Sequence, residues 1–312
     1  MMSGGVQRLP AVAASAVRRI HVCSTVQEFR AYRRNLTGKV VGFVPTMGAL
    51  HAGHQSLAIR AAKECDVVVG SIFVNPTQFG PNEDLDKYPR TFEHDLRMFE
   101  AAGVECVFAP KSRDEMYGSN PLCHVEPAAF SHILEGVARP DFFRGVATVV
   151  TKLFNIVQPD RAYFGQKDIS QCILIKRMVA DLNFPIEIRV CETMREVDGL
   201  AMSSRNVYLT ETERASANIL YRALIAGKDA CERSASSIPR ETIIRICEDV
   251  LRSEKLVSHV EYVSVASCED MEEMAEYSPG LGLVLSAAVK VGNVGLIDNV
   301  LDGSAHTKIF GL

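Results

Sequence analysis

The chain has 312 residues, 47% of them apolar and 23% charged, with a formal net charge of −4. That length allows two modest domains with good cores. The acidic balance argues against a general nucleic-acid binder, which would carry a basic surface, but it leaves room for a locally basic pocket that takes an acidic substrate.

Residues 1–27 contain Arg8, Arg18 and Arg19 and no acid. They read as a disordered tail, with a mitochondrial transit peptide as the alternative. From there strand-like and helix-like runs alternate. Residues 40–44 and 67–74 are strands, the second a near-continuous β-branched run of the kind buried on both faces. Helices are expected over 55–63, 91–101, 146–157 and 169–182, and further strands over 104–109, 162–164 and 186–190. The alternation implies a doubly wound, Rossmann-like parallel sheet over residues 28–193. Beyond it the texture changes. Helices over 211–231 and 239–253 and short strands over 260–265, 283–289 and 295–297 suggest a smaller α+β domain, residues 194–312, serving as a lid. No apolar run approaches a membrane span; the longest contains Gly70 and Ser71. Nine cysteines occur without Cys-x-x-Cys pairs and without a zinc spacing. They read as reduced thiols of a cytoplasmic protein.

Four motifs carry chemistry. The first is Pro45-Thr46-Met47-Gly48-Ala49-Leu50-His51-Ala52-Gly53-His54, between a strand and a helix. Backbone N–H groups at a helix start attract anions, and two imidazoles beside a phosphate suit nucleotidyl transfer. The same spacing also fits surface residues or half of a metal site. The stretch matches neither the Walker pattern nor Gly-x-Gly-x-x-Gly. The second is Asn75-Pro76-Thr77-Gln78-Phe79 at the end of a strand, where open α/β sheets bind ligands; an ordinary capped turn is the plain alternative. The third is Gly165-Gln166-Lys167-Asp168, with Gln171 one turn on. Its lysine suits a phosphate, and Asp168 suits a ribose hydroxyl or a helix N-cap. The fourth runs from Asp198 through Met202-Ser203-Ser204-Arg205-Asn206, a candidate polyphosphate clamp at the domain junction.

With Glu83-Asp84-Leu85, Tyr88-Pro89-Arg90-Thr91 and Phe143-Arg144-Gly145-Val146 added, the chain resembles the pantoate–β-alanine ligase family, AMP-forming, over residues 38–312. The wording over 142–157 and 163–168 is most similar to fungal members. The resemblance places the chain in the His-x-Gly-His nucleotidyl-transferring superfamily. It implies a two-step reaction in which pantoate and ATP give pantoyl adenylate and pyrophosphate, and β-alanine then displaces AMP. It also implies a homodimer. Met47 to His54, Gly165 to Asp168, Met194, and Met202 to Arg205 would contact ATP. Gln78 would touch pantoate and β-alanine, and Gln171 pantoate. His51, His54, Lys167 and Arg205 would be catalytic, chiefly by neutralising phosphate charge. Some members assign magnesium to an acidic pair and a glutamine, at places that here hold His94, Asp95 and Met98. No protein metal ligand is therefore expected; magnesium would arrive on the ATP phosphates and keep much of its water. An adenylyltransferase of the same superfamily and a nucleotide-binding regulatory protein are the competing readings. The first would not need Asn75–Phe79 with Gln171, and the second would not need all four catalytic groups.

Overall fold

A computed structural model describes residues 20–81 and 83–311. Most of the expected tail lies outside them, but its last residues do not form a tail. His21–Cys23 is a strand, β1, and α1 (Val26–Arg34) begins directly after it. Thr25 and Glu28 make the reciprocal capping box that starts this helix.

The first unit then alternates: β2 (Val41–Thr46), α2 (Ala52–Glu64), β3 (Val67–Ile72), α3 (Phe92–Ala101) and β4 (Cys106–Phe108). Two short helices follow, α4 (Arg113–Tyr117) and α5 (Leu134–Ala138). The unit closes with α6 (Phe142–Val157), β5 (Arg161–Gly165), α7 (Ile169–Asp181) and β6 (Glu187–Cys191). The six strands form one parallel sheet in the order β1-β4-β3-β2-β5-β6. From β2 the chain adds β3 and β4 on one side, then returns to lay β5 and β6 on the other. That reversal opens a crevice at the carboxyl ends of β2 and β5. Both faces of the sheet are covered. Phe29, Phe43, Phe108 and Phe154 pack with α6 and α7 on one face; Leu57, Ala58, Ala61 and Phe99 of α2 and α3 cover the other. This two-sided burial is why β3 reads as a near-continuous β-branched run.

The second unit holds α8 (Glu211–Ser216), α9 (Ile219–Arg233), β7 (Ile238–Pro239), α10 (Arg240–Arg252), β8 (Val257–Ser267), β9 (Glu276–Tyr277), β10 (Leu283–Val291), β11 (Val294–Leu301) and α11 (Gly303–Phe310). The helix expected over 211–231 is two helices, because the Ala217 N–H turns back to the Arg214 carbonyl and α9 restarts after Asn218. The antiparallel sheet runs β11-β10-β8. Its residues alternate between two buried environments. Val263, Val265, Leu283, Leu285 and Val289 face α9 and α10. Ala266, Val284 and Leu301 instead join the core of the first unit, together with Ile309 and Phe310 of α11. The Lys176 ammonium of α7 donates to the carbonyls of Lys308 and Ile309, each at 2.9 Å, which ties α11 back to the parallel sheet. All nine cysteines are free and seven are buried. Among the described residues no helix is long and apolar enough to cross a membrane.

Candidate active site

A cleft lies at the crevice between β2 and β5. The first motif contributes Met47, His51, Gly53 and His54 to its wall, and the third contributes Gly165, Lys167 and Asp168. Met194, Met202, Ser203, Ser204 and Arg205 also line it, as do Gln78 and Gln171 with Phe142 and Val146 of α6. Gly48, Ala49, Leu50, Ala52 and Gln166 do not line it.

The two histidines are set by helix capping. His51 is the N-cap of α2, and its Nδ1 accepts from the Gly53 N–H at 3.2 Å. His54 Nδ1 accepts in turn from the His51 N–H at 3.4 Å. The rings sit 4.1 Å apart between centroids. An imidazole nitrogen that accepts carries no proton, so in each neutral ring the proton is on Nε2. Burial, with the Lys167 charge behind it, pushes His51 down to about 4. Burial, then the neighbouring His51 and Lys167, pushes His54 down to about 3. At neutral pH the pair therefore offers two uncharged N–H donors rather than two cations.

The glycine between them has a steric cause: a Cβ on Gly53 would lie 2.8 Å from the His51 ring. Gly53→Ala is expected to leave unfolding free energy within about 1 kcal/mol of the parent, since alanine's better helix propensity offsets the weakened cap. Displacing His51 by a fraction of an ångström to make room should still lower kcat by about 10²-fold. Urea unfolding and steady-state rates on the same preparation check both halves.

In the turn ahead of α2, the backbone N–H groups of residues 49 and 50 are taken by the protein itself. Asp95 of α3, fully buried, accepts from the Ala49 N–H at 3.0 Å and the Leu50 N–H at 2.8 Å, and from Thr91 Oγ1 at 2.9 Å. The Gly48 N–H donates to Thr46 Oγ1. These residues shape the turn between Met47 and His51, both of which line the cleft. With both oxygens of Asp95 occupied in this way, the position is structural. Among the described residues no cluster of His, Cys, Asp and Glu could hold a metal ion.

At the other end, Asn75 organises the turn after β3. Its amide donates to Gln78 Oε1 at 3.0 Å and to the Gly145 carbonyl at 3.2 Å, and its own oxygen accepts from the Tyr117 hydroxyl at 2.7 Å. Gln78 is thereby oriented with its amide nitrogen unspent. The close approach needs Gly145, where a Cβ would fall 2.3 Å from the Thr77 carbonyl oxygen. Beside these amides, Phe73, Phe142, Val146 and Val149 make an apolar wall.

Lys167 lines the cleft with a loose ion pair to Asp168 at 3.7 Å. Its backbone is locked by Asn299 of β11, which donates to the carbonyls of Gln166 and Lys167 at 2.9 and 3.0 Å and accepts from Gln166 Nε2 at 3.0 Å. Gln166 is thus a strut between the two units. Arg205 is paired bidentately with Asp84, and Tyr88 lies 3.3 Å from Ser204 through their hydroxyls. Arg139, Glu83, Asp84, Asn299 and Asp95 were not singled out for roles from sequence. The Glu83-Asp84 pair stood in a recognised motif, which was the one available signal.

A family model described as pantoate–β-alanine ligase matches residues 21–301. The chain belongs to this family. The ligase is 51% identical over 281 residues to the pantothenate synthetase of Chloroflexus aurantiacus, covering 90% of this chain and 97% of that one. It is 48% identical to the pantothenate synthetase of Pelotomaculum thermopropionicum, with 90% and 99% covered. Among solved structures it resembles pantothenate synthetase from Thermus thermophilus at a TM-score of 0.82 and 42% identity, over 90% of this chain and 99% of that one. A pantoate–β-alanine ligase from Francisella tularensis, described as complexed with a β,γ-ATP compound and β-alanine, superposes at a TM-score of 0.74 with 34% identity, covering 90% and 97%. The activity of the ligase is ATP-dependent joining of pantoate to β-alanine, a step in pantothenate biosynthesis.

Proposed function

We propose that the cleft runs both half-reactions, with ATP along the first, third and fourth motifs and pantoate between Gln78, Gln171 and the α6 wall. The observation that carries this reading is convergence at the topological switch point: two neutral N–H donors, one ammonium, two guanidiniums, two glutamines and an apolar wall line one cleft. Pantoate is a carboxylate with hydroxyls and a dimethyl carbon, and that combination matches amides beside phenylalanine and valine.

In the first step the pantoate carboxylate attacks the α-phosphorus of ATP, and the bond to pyrophosphate breaks. A carboxylate is ionised at neutral pH, so no base is required. The need is to align two anions and relieve their repulsion. Lys167 and Arg205 supply charge for the α-phosphate and the departing pyrophosphate. His51 and His54 supply Nε2–H donors, which approach phosphate oxygens without attracting a proton. In the second step the β-alanine amine attacks the acyl carbon, the bond to phosphate breaks, and AMP leaves. Met47, Gly53, Gly165, Asp168, Met194, Met202, Ser203 and Ser204 complete the nucleotide contacts. Gly48, Ala49, Leu50, Ala52 and Gln166 act from behind by holding the turn and strut. Magnesium belongs to the substrate as hydrated Mg-ATP, in keeping with the engaged Asp95. The second unit, residues 194–312, covers the cleft and keeps water from the acyl adenylate. The same reading takes the enzyme as a cytoplasmic homodimer, supported by family resemblance and by the free cysteines.

AMP formation tests the proposal. With ATP and pantoate, AMP release is expected only when β-alanine is present, while pyrophosphate appears in an initial burst without it. ATP binding with no AMP from any pantoate–amine pair would overturn the reading in favour of a regulatory nucleotide-binding protein.

A further inference from the structure

The Glu83-Asp84 pair, on the segment between β3 and α3, plays no part in the steps above. Each of these adjacent carboxylates holds a different arginine of the cleft. Glu83 takes Arg139 through Nε at 2.9 Å and Nη2 at 2.7 Å. Asp84 takes Arg205 through Nε at 3.0 Å and Nη2 at 2.8 Å. Arg139 follows α5 in the first unit and lies over the Phe142 ring at 3.6 Å. Arg205 belongs to the second unit. One dipeptide therefore holds both arginines of the cleft wall. All four side chains are partly buried, with 24–31% of each exposed, so water competes less for these pairs than for surface ones.

We propose that Glu83 and Asp84 are positioning residues for the ligation, Glu83 fixing the guanidinium plane of Arg139 on the pantoate side and Asp84 that of Arg205 on the ATP side. A guanidinium is a rigid planar fork with five donors. A carboxylate that takes the Nε edge fixes the direction of the opposite Nη1 edge; on Arg205 that edge remains for an anion in the cleft, and on Arg139 it also lies 3.8 Å from the Glu135 carboxylate, which steadies the same plane. The two carboxylates also moderate the repulsion that Arg139, Arg205 and Lys167 would exert on one another around the cleft. The segment does not depend on the arginines alone for its place. The Tyr208 hydroxyl donates to the Lys87 carbonyl at 2.7 Å, and Tyr88 meets Ser204. The Arg205 hydrogen bond and charge hold the Asp84 carboxyl below its usual range although burial acts to raise it, so the carboxylate is ionised and paired at neutral pH.

This inference rests on the placement of ATP and pantoate proposed above, and steady-state kinetics with each substrate varied separates the two. Asp84→Asn is expected to lower kcat about tenfold with KM for pantoate little changed, and Glu83→Gln to raise KM for pantoate about tenfold with kcat little changed. Asp84→Glu, which keeps the charge, should recover most of the lost kcat. The deciding measurement is a double-mutant cycle: in an Arg205→Lys background, Asp84→Asn should cost less than about a further twofold. Equal losses in both backgrounds would show that Asp84 acts independently of Arg205 and would overturn the proposal. So would a lowered melting temperature with unchanged kcat and KM, the mark of a merely structural pair. Parental kinetics in Arg205→Lys would remove Arg205 from the site, and the Asp84 half would fall with that part of the functional reading. The Glu83 half is then decided by the same cycle with Arg139→Lys.

Discussion

Lys167→Ala is expected to lower kcat by about 10²–10³-fold, the usual consequence of deleting one preorganised donor aimed at developing charge. Its side chain is 19% exposed, and among the described residues its one ion pair, to Asp168, is 3.7 Å long, beyond hydrogen-bonding distance. The donors of that ammonium are thus uncommitted beside two neutral imidazoles. Lys167 is also the one cation in the cleft wall not already held bidentately by a carboxylate, so no neighbour can take over its charge. Substitution removes the charge without freeing the loop, because Asn299 holds the carbonyls of Gln166 and Lys167 rather than the side chain. Fold stability should therefore stay near the parental value. The loss should fall on the adenylation half-reaction, read as pyrophosphate release in a single turnover. If pyrophosphate release keeps its rate and only amide formation slows, the role given to Lys167 is wrong. Lys167→Arg keeps the charge but not the compact geometry, and should sit between the two.

The alternating fold was legible because its signal is local. The valine run of β3 and the spaced apolar residues of α6 each report their own burial. What escaped was also explicable. β1 is three residues long at a sheet edge, in a segment whose composition suggested a tail, and α1 starts at the end of that segment, although Thr25 and Glu28 spell a capping box. α11 has only eight residues and owes its place to contacts with the other unit. The site divides in the same way. Residues that face the cleft sit in short motifs at strand ends, where a ligand-binding edge can be anticipated. Their supports come from far along the chain. Asn299 is 133 residues from Gln166, and Asp84 is 121 from Arg205. No periodicity or spacing rule connects such positions, so which arginine is paired and which loop is locked emerge only when the units are folded together.

Asp95→Ala is expected to be the most damaging substitution outside the cleft wall. A turn with several N–H groups pointing one way, ahead of a helix, looks from sequence like a phosphate cradle. Here the protein supplies the anion itself, 46 residues from Ala49 and 45 from Leu50. Removing the carboxylate leaves two buried backbone donors unpaired, at a cost of about 1–3 kcal/mol each, with a cavity where water must enter or the turn must shift. The sum, roughly 2–6 kcal/mol, is a large fraction of a typical domain's stability. Asp95→Asn retains one acceptor oxygen of the same shape and should lose about half as much. Urea unfolding with an unchanged m value measures both. Activity should fall further than stability alone explains, because His51 follows Leu50 directly and takes its cap geometry from this turn. A variant that unfolds at the parental urea concentration would mean that the donors find other partners, and that Asp95 is not what holds the catalytic turn in shape.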